Sequence, residues 1–112
     1  MDTALSVVQR QLDFYNANDL KGFVSTYHDD VAIYNIADNT LMLQGKDALR
    51  LKYRERFEVQ KVQAELVNRM VIGNKVIDHE HVSGIVKGEI SKAVAIYEVE
   101  AALIKRVWFV FE

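Results

Sequence analysis

The sequence has 112 residues, 14 Lys plus Arg against 16 Asp plus Glu, and 50% apolar residues, the balance of one globular domain spanning residues 1–112. Cysteine is absent, which excludes disulfides, thiolate metal centres, iron–sulfur clusters and a cysteine nucleophile. A net charge of −2 with no basic stripe of interleaved aromatics speaks against a nucleic-acid partner.

Residues 3 to 17 place Leu5, Val8, Leu12 and Tyr15 on one stripe, with Gln9, Arg10 and Asp13 facing away, which predicts an amphipathic helix. Asn16-Ala17-Asn18-Asp19 interrupts that pattern with capping residues, and Leu20, Phe23, Val24 and Tyr27 resume it as a second, shorter helix. His28-Asp29-Asp30 is expected to end it, the imidazole at the helix C-terminus and the aspartates in a turn. Val31 to Asn35 reads as a strand, Asp38-Asn39 as a turn and Leu41 to Leu43 as a second short strand. Gly45 starts a third helix that buries Leu49, Tyr53 and Phe57. Lys46, Arg50, Lys52, Arg54 and Arg56 are expected mostly outside as a solvated face diluted by Asp47, Glu55 and Glu58, with phosphate binding the alternative.

From residue 62 the apolar period changes from 3.6 to 2, and 62–72, 76–86, 90–100 and 103–111 read as four long antiparallel strands. Gly73-Asn74 and Lys87-Gly88 are suited to the first two connections. Ala101-Ala102 at the third is unusual, because Ala is disfavoured in the left-handed conformation that a two-residue hairpin needs; the loop is either longer or strained. The order α-α-β-β-α-β-β-β-β describes an α+β fold with helices on one face of a curved antiparallel sheet. Met1 to Gln11 has neither the basic flank nor the apolar run of a secretory leader. No stretch reaches the roughly 18 apolar residues of a membrane span, so a cytoplasmic location without a membrane partner is expected.

Val7-Val8-Gln9-Arg10, Asn16-Ala17-Asn18-Asp19-Leu20, Asp29-Asp30-Val31, Leu43-Gln44-Gly45, Ala95-Ile96-Tyr97-Glu98-Val99 and Ile104-Lys105-Arg106-Val107-Trp108-Phe109 together resemble the nuclear transport factor 2-like superfamily. Within it they are most similar to the SnoaL-like and ketosteroid-isomerase-like small proteins. The resemblance implies a cystatin-like cone: a curved antiparallel sheet closed by three helices from the N-terminal half, an apolar pocket for a small lipophilic molecule, no cofactor, and a homodimer through the sheet face. Ketosteroid isomerases of this superfamily use an Asp base on the first strand and an oxyanion hole of a helix-one Tyr and a protonated Asp. By the resemblance those positions fall on Asn35, Gln11 and near Ala95, none of which can do the chemistry. Tyr53 matches a supporting Tyr of that network. Ketosteroid isomerase activity is therefore not expected.

The five tyrosines are numerous for this length, and a Tyr with its ring in an apolar wall and its hydroxyl in a cavity reads polar ligand atoms. Gln11, Tyr15, Asn35, Tyr53, Tyr97 and Trp108 form the candidate ligand-binding set, with Asn35, Tyr53 and His79 at the pocket mouth. In Asp78-His79-Glu80-His81 the histidines share one strand face and the acids the other. The His pair has three readings: a polar strip, two ligands of a metal site that finds no third ligand beyond His28, or a general base within the cone. No metal site is assigned, and His79 is the candidate catalytic residue.

Val94, Ile96, Ile104, Trp108 and Val110 are expected on one face of the last two strands, opposite Ala93, Ala95, Tyr97, Val99, Val107, Phe109 and Phe111. Apolarity on both faces calls for a cover on the second, and a twofold partner is the economical one. Three functions remain open: a SnoaL-like binder of a lipophilic metabolite, an isomerase, cyclase or dehydratase using His79 or a pocket carboxylate such as Asp78 or Glu80, and an interaction module whose cone is only core. A cavity above roughly 300 Å3 would count against the last.

Overall fold

The computed structural model describes residues 2–112. Thr3 opens helix α1 (Ala4–Asn16) with a capping box, its hydroxyl accepting the Ser6 N–H while the Ser6 hydroxyl accepts the Thr3 N–H. The helix buries Val7, Val8, Gln11 and Leu12, so Val8 and Leu12 of the predicted stripe are in the core but the buried face is rotated toward Val7 and Gln11, and Leu5 stays 42% exposed. Asp19 caps helix α2 (Leu20–Ser25) by accepting the Gly22 N–H at 2.9 Å. Gly22 is required because a Cβ there would lie 2.3 Å from the Phe14 ring.

Helix α2 stops at Ser25, and strand β1 (Tyr27–Asn35) starts earlier than expected. His28, Asp29 and Asp30, expected to terminate the helix, lie on the strand where its register with the last strand shifts. His28 Nδ1 accepts the Asp30 N–H at 3.1 Å, so this histidine serves local backbone rather than a helix terminus. After β1 come β2 (Thr40–Gln44), α3 (Lys46–Glu58), β3 (Gln63–Ile72), β4 (Lys75–Ser83), β5 (Ile90–Glu100) and β6 (Leu103–Phe111). β4 is shorter than predicted because Gly84 turns the chain with φ +98°, its α-carbon packed so tightly that a Cβ would meet the Gln60 carbonyl oxygen at 2.8 Å.

The six strands form one sheet in the order β2-β1-β6-β5-β4-β3. Every neighbouring pair is antiparallel except β1 with β6, which is parallel because β6 returns beside β1 after the meander, so the sheet is mixed rather than wholly antiparallel. The β5–β6 hairpin turns on Ala101 (φ 53°) and Ala102 (φ 64°), both left-handed as a tight two-residue turn demands. Backbone of this hand strains an alanine by roughly 1–2 kcal/mol per residue. Just beyond the turn, the register shift between Glu98 and Val99 swings Ile104 onto the helix-covered face. Ile104 is therefore fully buried in the core and not part of the outer patch assigned to it from alternation.

The helices cover the concave face, where Tyr15, Phe23, Tyr27, Tyr53 and Phe57 interlock; Phe23 lies 4.7 Å from Tyr53 and 5.2 Å from Phe57 between ring centroids. The opposite face carries an apolar row in register across five strands: Tyr34, Trp108, Ile96, Ile77 and Met70. Tyr34 and Trp108 stack there at 6.1 Å. Among the described residues no helix is long and apolar enough to cross a membrane.

Candidate functional site

On the concave side, alternation along β4 buries Val76, Asp78, Glu80 and Val82 and turns Ile77, His79 and His81 outward. The two carboxylates therefore point beneath the helices, level with their β5 partners: Asp78 pairs with Ala95, and Glu80 with Ala93. They stand in different circumstances. Asp78, fully buried, is clasped by Arg69, whose Nε donates to Oδ1 at 2.6 Å and Nη2 to Oδ2 at 2.9 Å. Arg69 Nη1 also donates to Gln9 Oε1 at 2.6 Å, and the carboxylate holds the guanidinium above its ordinary range. Glu80, 7% exposed, is ion-paired with no side chain among the described residues. Burial, reinforced by the Asp78 charge and only partly offset by Arg69, pushes the Glu80 carboxyl up to about 7.

Glu80 faces a cavity of about 220 Å3. α1 contributes Gln11, Leu12 and Tyr15, β1 contributes Tyr27, and α3 contributes Lys52, Tyr53 and Arg56. The sheet side is Val82, Ile85, Ser91, Lys92, Ala93, Tyr97, Phe109 and Phe111. The volume lies below the roughly 300–1,000 Å3 of drug-sized sites, and so below the size named above as counting against a cone that is only core. Gln11 is fixed across the cavity floor, its amide N–H donating to the Val8 carbonyl at 3.2 Å and its oxygen accepting the Tyr27 hydroxyl at 3.1 Å. The other three lining tyrosines, Tyr15, Tyr53 and Tyr97, have no hydrogen-bond partner among the described residues. Burial pushes all four phenols up, and the Glu80 charge adds to it; Tyr53 reaches about 12, moderated by Arg56. They are hydrogen-bond donors at any physiological pH.

Of the residues singled out in the sequence, Gln11, Tyr15, Tyr53 and Tyr97 meet at this cavity, and Asn35, His79 and Trp108 do not. Asn35 spends its side-chain oxygen on the Ala37 N–H at 3.0 Å, shaping the β1–β2 connection. Trp108 lies on the outer face against Tyr34. His79 lies on that face too, paired across the strands with Asn68 and Val94, because it sits one residue from Glu80 on a strand whose even-numbered positions point inward. It is not at the pocket mouth. His81 contacts His79 edge-on at 5.4 Å and reaches Glu65 at 3.8 Å. Lys52 is exposed as expected and Arg56 half-buried, and both also border the cavity. A polar Gln at position 11 inside an apolar helical stripe was a signal of the site that the sequence carried.

Among solved structures, the chain is similar to an uncharacterised cystatin-fold protein from Novosphingobium aromaticivorans, at 26% identity and a TM-score of 0.86 over 97% of this chain and 98% of that one. It is also similar to a nuclear transport factor 2-like protein of unknown function from Cytophaga hutchinsonii (12%, TM-score 0.83, covering 100% and 92%). A third, from Kribbella flavida, whose assignment as a ketosteroid isomerase is itself provisional, matches at 15% and 0.84 over 97% and 77%. At these identities the last two speak to the fold alone. No curated protein matches. Residues 8–107 match the family described as SnoaL-like domain. The chain belongs to that SnoaL-like family, with the cystatin-like, nuclear transport factor 2-like fold of its structural neighbours.

Proposed function

We propose that the cavity binds a compact lipophilic carbonyl metabolite and that Glu80 moves a proton on it, an isomerase-, cyclase- or dehydratase-type reaction without a cofactor. The observation that carries this reading is a buried carboxyl with no ion-pair partner among the described residues, pushed up to about 7, on the wall of a cavity lined by four tyrosines. A group with that pKa is present as both base and acid at neutral pH, where general acid–base catalysis is most effective. Ionised Glu80 takes a proton α to the carbonyl, the developing enolate oxygen receives hydrogen bonds from protonated tyrosines such as Tyr15 or Tyr53, and Glu80 returns the proton at another carbon. Asp78, both of its oxygens engaged by Arg69, is not part of the cavity wall. The acid that the isomerase resemblance places near Ala95 is thus replaced by carboxylates on the adjacent strand, Asp78 directly opposite Ala95 and Glu80 one inward step toward the mouth.

The test is α-hydrogen exchange of enolisable aryl ketones in deuterium oxide, followed by proton NMR. Exchange above the buffer rate is expected, falling about 100-fold or more in Glu80→Gln and unchanged in His79→Ala. Exchange equal to buffer, or equal in wild type and Glu80→Gln, contradicts the reading.

We also propose that the chain is a homodimer through its outer sheet face. The supporting feature is the in-register apolar row from Tyr34 to Met70, with Met70 61% exposed, on a face the helices leave bare. Native mass spectrometry is expected to give twice the chain mass, and Trp108→Glu to give the single chain; a wild-type monomer at micromolar concentration contradicts it.

A further inference from the structure

The cavity has one acidic wall residue, Glu80, and two cationic ones from α3, Lys52 and Arg56; Lys92 also borders it, but from an outward-facing position of β5. Lys52 and Arg56 are four apart on α3 and so project from one side of it, to either side of the buried Tyr53 turn. Their neighbours on that helix are already neutralised: Arg50 by Asp47 at 3.0 Å, Arg54 by Glu58 at 3.7 Å, and Lys46 by Asp29 of β1 at 3.6 Å. Among the described residues Lys52, Arg56 and Lys92 have no carboxylate partner, and Arg56 makes a single side-chain bond, to Gln60 Oε1 at 3.0 Å. Burial and the adjacent Arg56 charge together push the Lys52 ammonium down, the strain of like charges brought together with no anion between them.

Depth in the cone follows the strand register. Tyr97 and Val107 lie deepest, then Ala95 and Phe109, then Glu80, Ala93 and Phe111, then Val82 opposite Ser91 at the open end, while Lys92, paired with the outward-facing His81, belongs to the other face of β5. Arg56 reaches that open end, donating to Gln60, which in turn donates to the Ile85 carbonyl just past β4; Lys52, one turn away on α3, is exposed, and Glu80 lies farther in, level with Phe111.

Resting on the proton-transfer reading above, we propose that Lys52 and Arg56 form a carboxylate-binding rim, and that the natural ligand is an amphipathic keto acid. Its anion stays at the mouth while its carbonyl end reaches Glu80 and the tyrosines. An anion there relieves the Lys52–Arg56 repulsion and leaves the apolar body to fill the cone. The rim also fixes which end enters, since a carboxylate pushed inward would meet Glu80.

The test compares two ketones that differ by the anion, 4-oxo-4-phenylbutanoate and 1-phenylbutan-1-one, by NMR titration at low ionic strength. The keto acid is expected to bind about tenfold more tightly, the scale of one charge-assisted contact. That advantage is expected to vanish in Lys52→Gln/Arg56→Gln while the neutral ketone binds as before, which also shows the variant folded. Equal binding of the two ketones by wild type, or an advantage that survives the double substitution, overturns the rim and leaves the proton-transfer reading standing. Binding of neither overturns both.

Discussion

Glu80→Gln is expected to stabilise the protein by about 3 kcal/mol at pH 8 and to change little near pH 4.5. Burial, with the Asp78 charge beside it, raises the Glu80 carboxyl from 4.5 to about 7, so the folded chain retains a proton that the unfolded chain has released. Between those two values the folded state binds more protons, and stability falls as pH rises through the window. Above about 7 both states are ionised and the folded one carries the whole penalty, about 3 kcal/mol, since each tenfold change in proton affinity is worth about 1.4 kcal/mol. Gln is a near-isostere that never ionises. The expected thermal midpoint difference at pH 8 is on the order of 10 °C for a chain of this size. Denaturant titrations of both proteins between pH 4.5 and 8 measure it, and parallel pH profiles would contradict it. Such a gain at the expense of activity is the usual signature of a group retained for function.

The second large effect is on the Arg69–Asp78 pair. Arg69→Met leaves Asp78, fully buried, without its two charge-assisted bonds, and the expected loss is about 3–5 kcal/mol. Replacing both partners, Arg69→Met with Asp78→Leu, is expected to recover most of that, because the cost comes from the stranded charge and not from lost packing. Urea unfolding of the two variants at pH 7 decides it. A single variant within about 1 kcal/mol of wild type would mean that water reaches Asp78 and that the pair contributes little to the field at Glu80.

The order of helices and strands was legible because each rests on strong local chemistry: the Thr3 and Asp19 caps, the Leu49–Tyr53–Phe57 spacing, and the change to period two after Val62. Departures occurred where a tertiary feature outweighed the local pattern. Tyr27 continues the helical spacing of Phe23 and Val24, yet it is drawn into β1 by pairing with Ile104, a contact far away in the chain. Ile104 and Val107 share a face only because of a register shift that alternation does not reveal. In the site, the tyrosines and Gln11 could be found from helix period and family position, whereas choosing between His79 and Glu80 needed to know which face of β4 looks into the cone. The strands around it are apolar on both sides, so period two separated the histidines from the acids without saying which pair was inside. The free cations were hidden for a related reason: Asp47 and Glu58 dilute the basic helix in sequence, but in space they pair with Arg50 and Arg54 and leave Lys52 and Arg56 open.

The central claim is that Glu80 is a carboxyl held near neutrality inside the cavity, and its direct test is a 13C NMR titration of the Glu80 side-chain carboxyl. The chemical shift is expected to titrate with a midpoint of about 7, and the midpoint is expected to fall in Asp78→Asn, where the neighbouring charge is gone. A wild-type midpoint near the ordinary value of 4.5 would contradict the account, since a freely ionised Glu80 would be neither buried nor poised to exchange a proton at neutral pH.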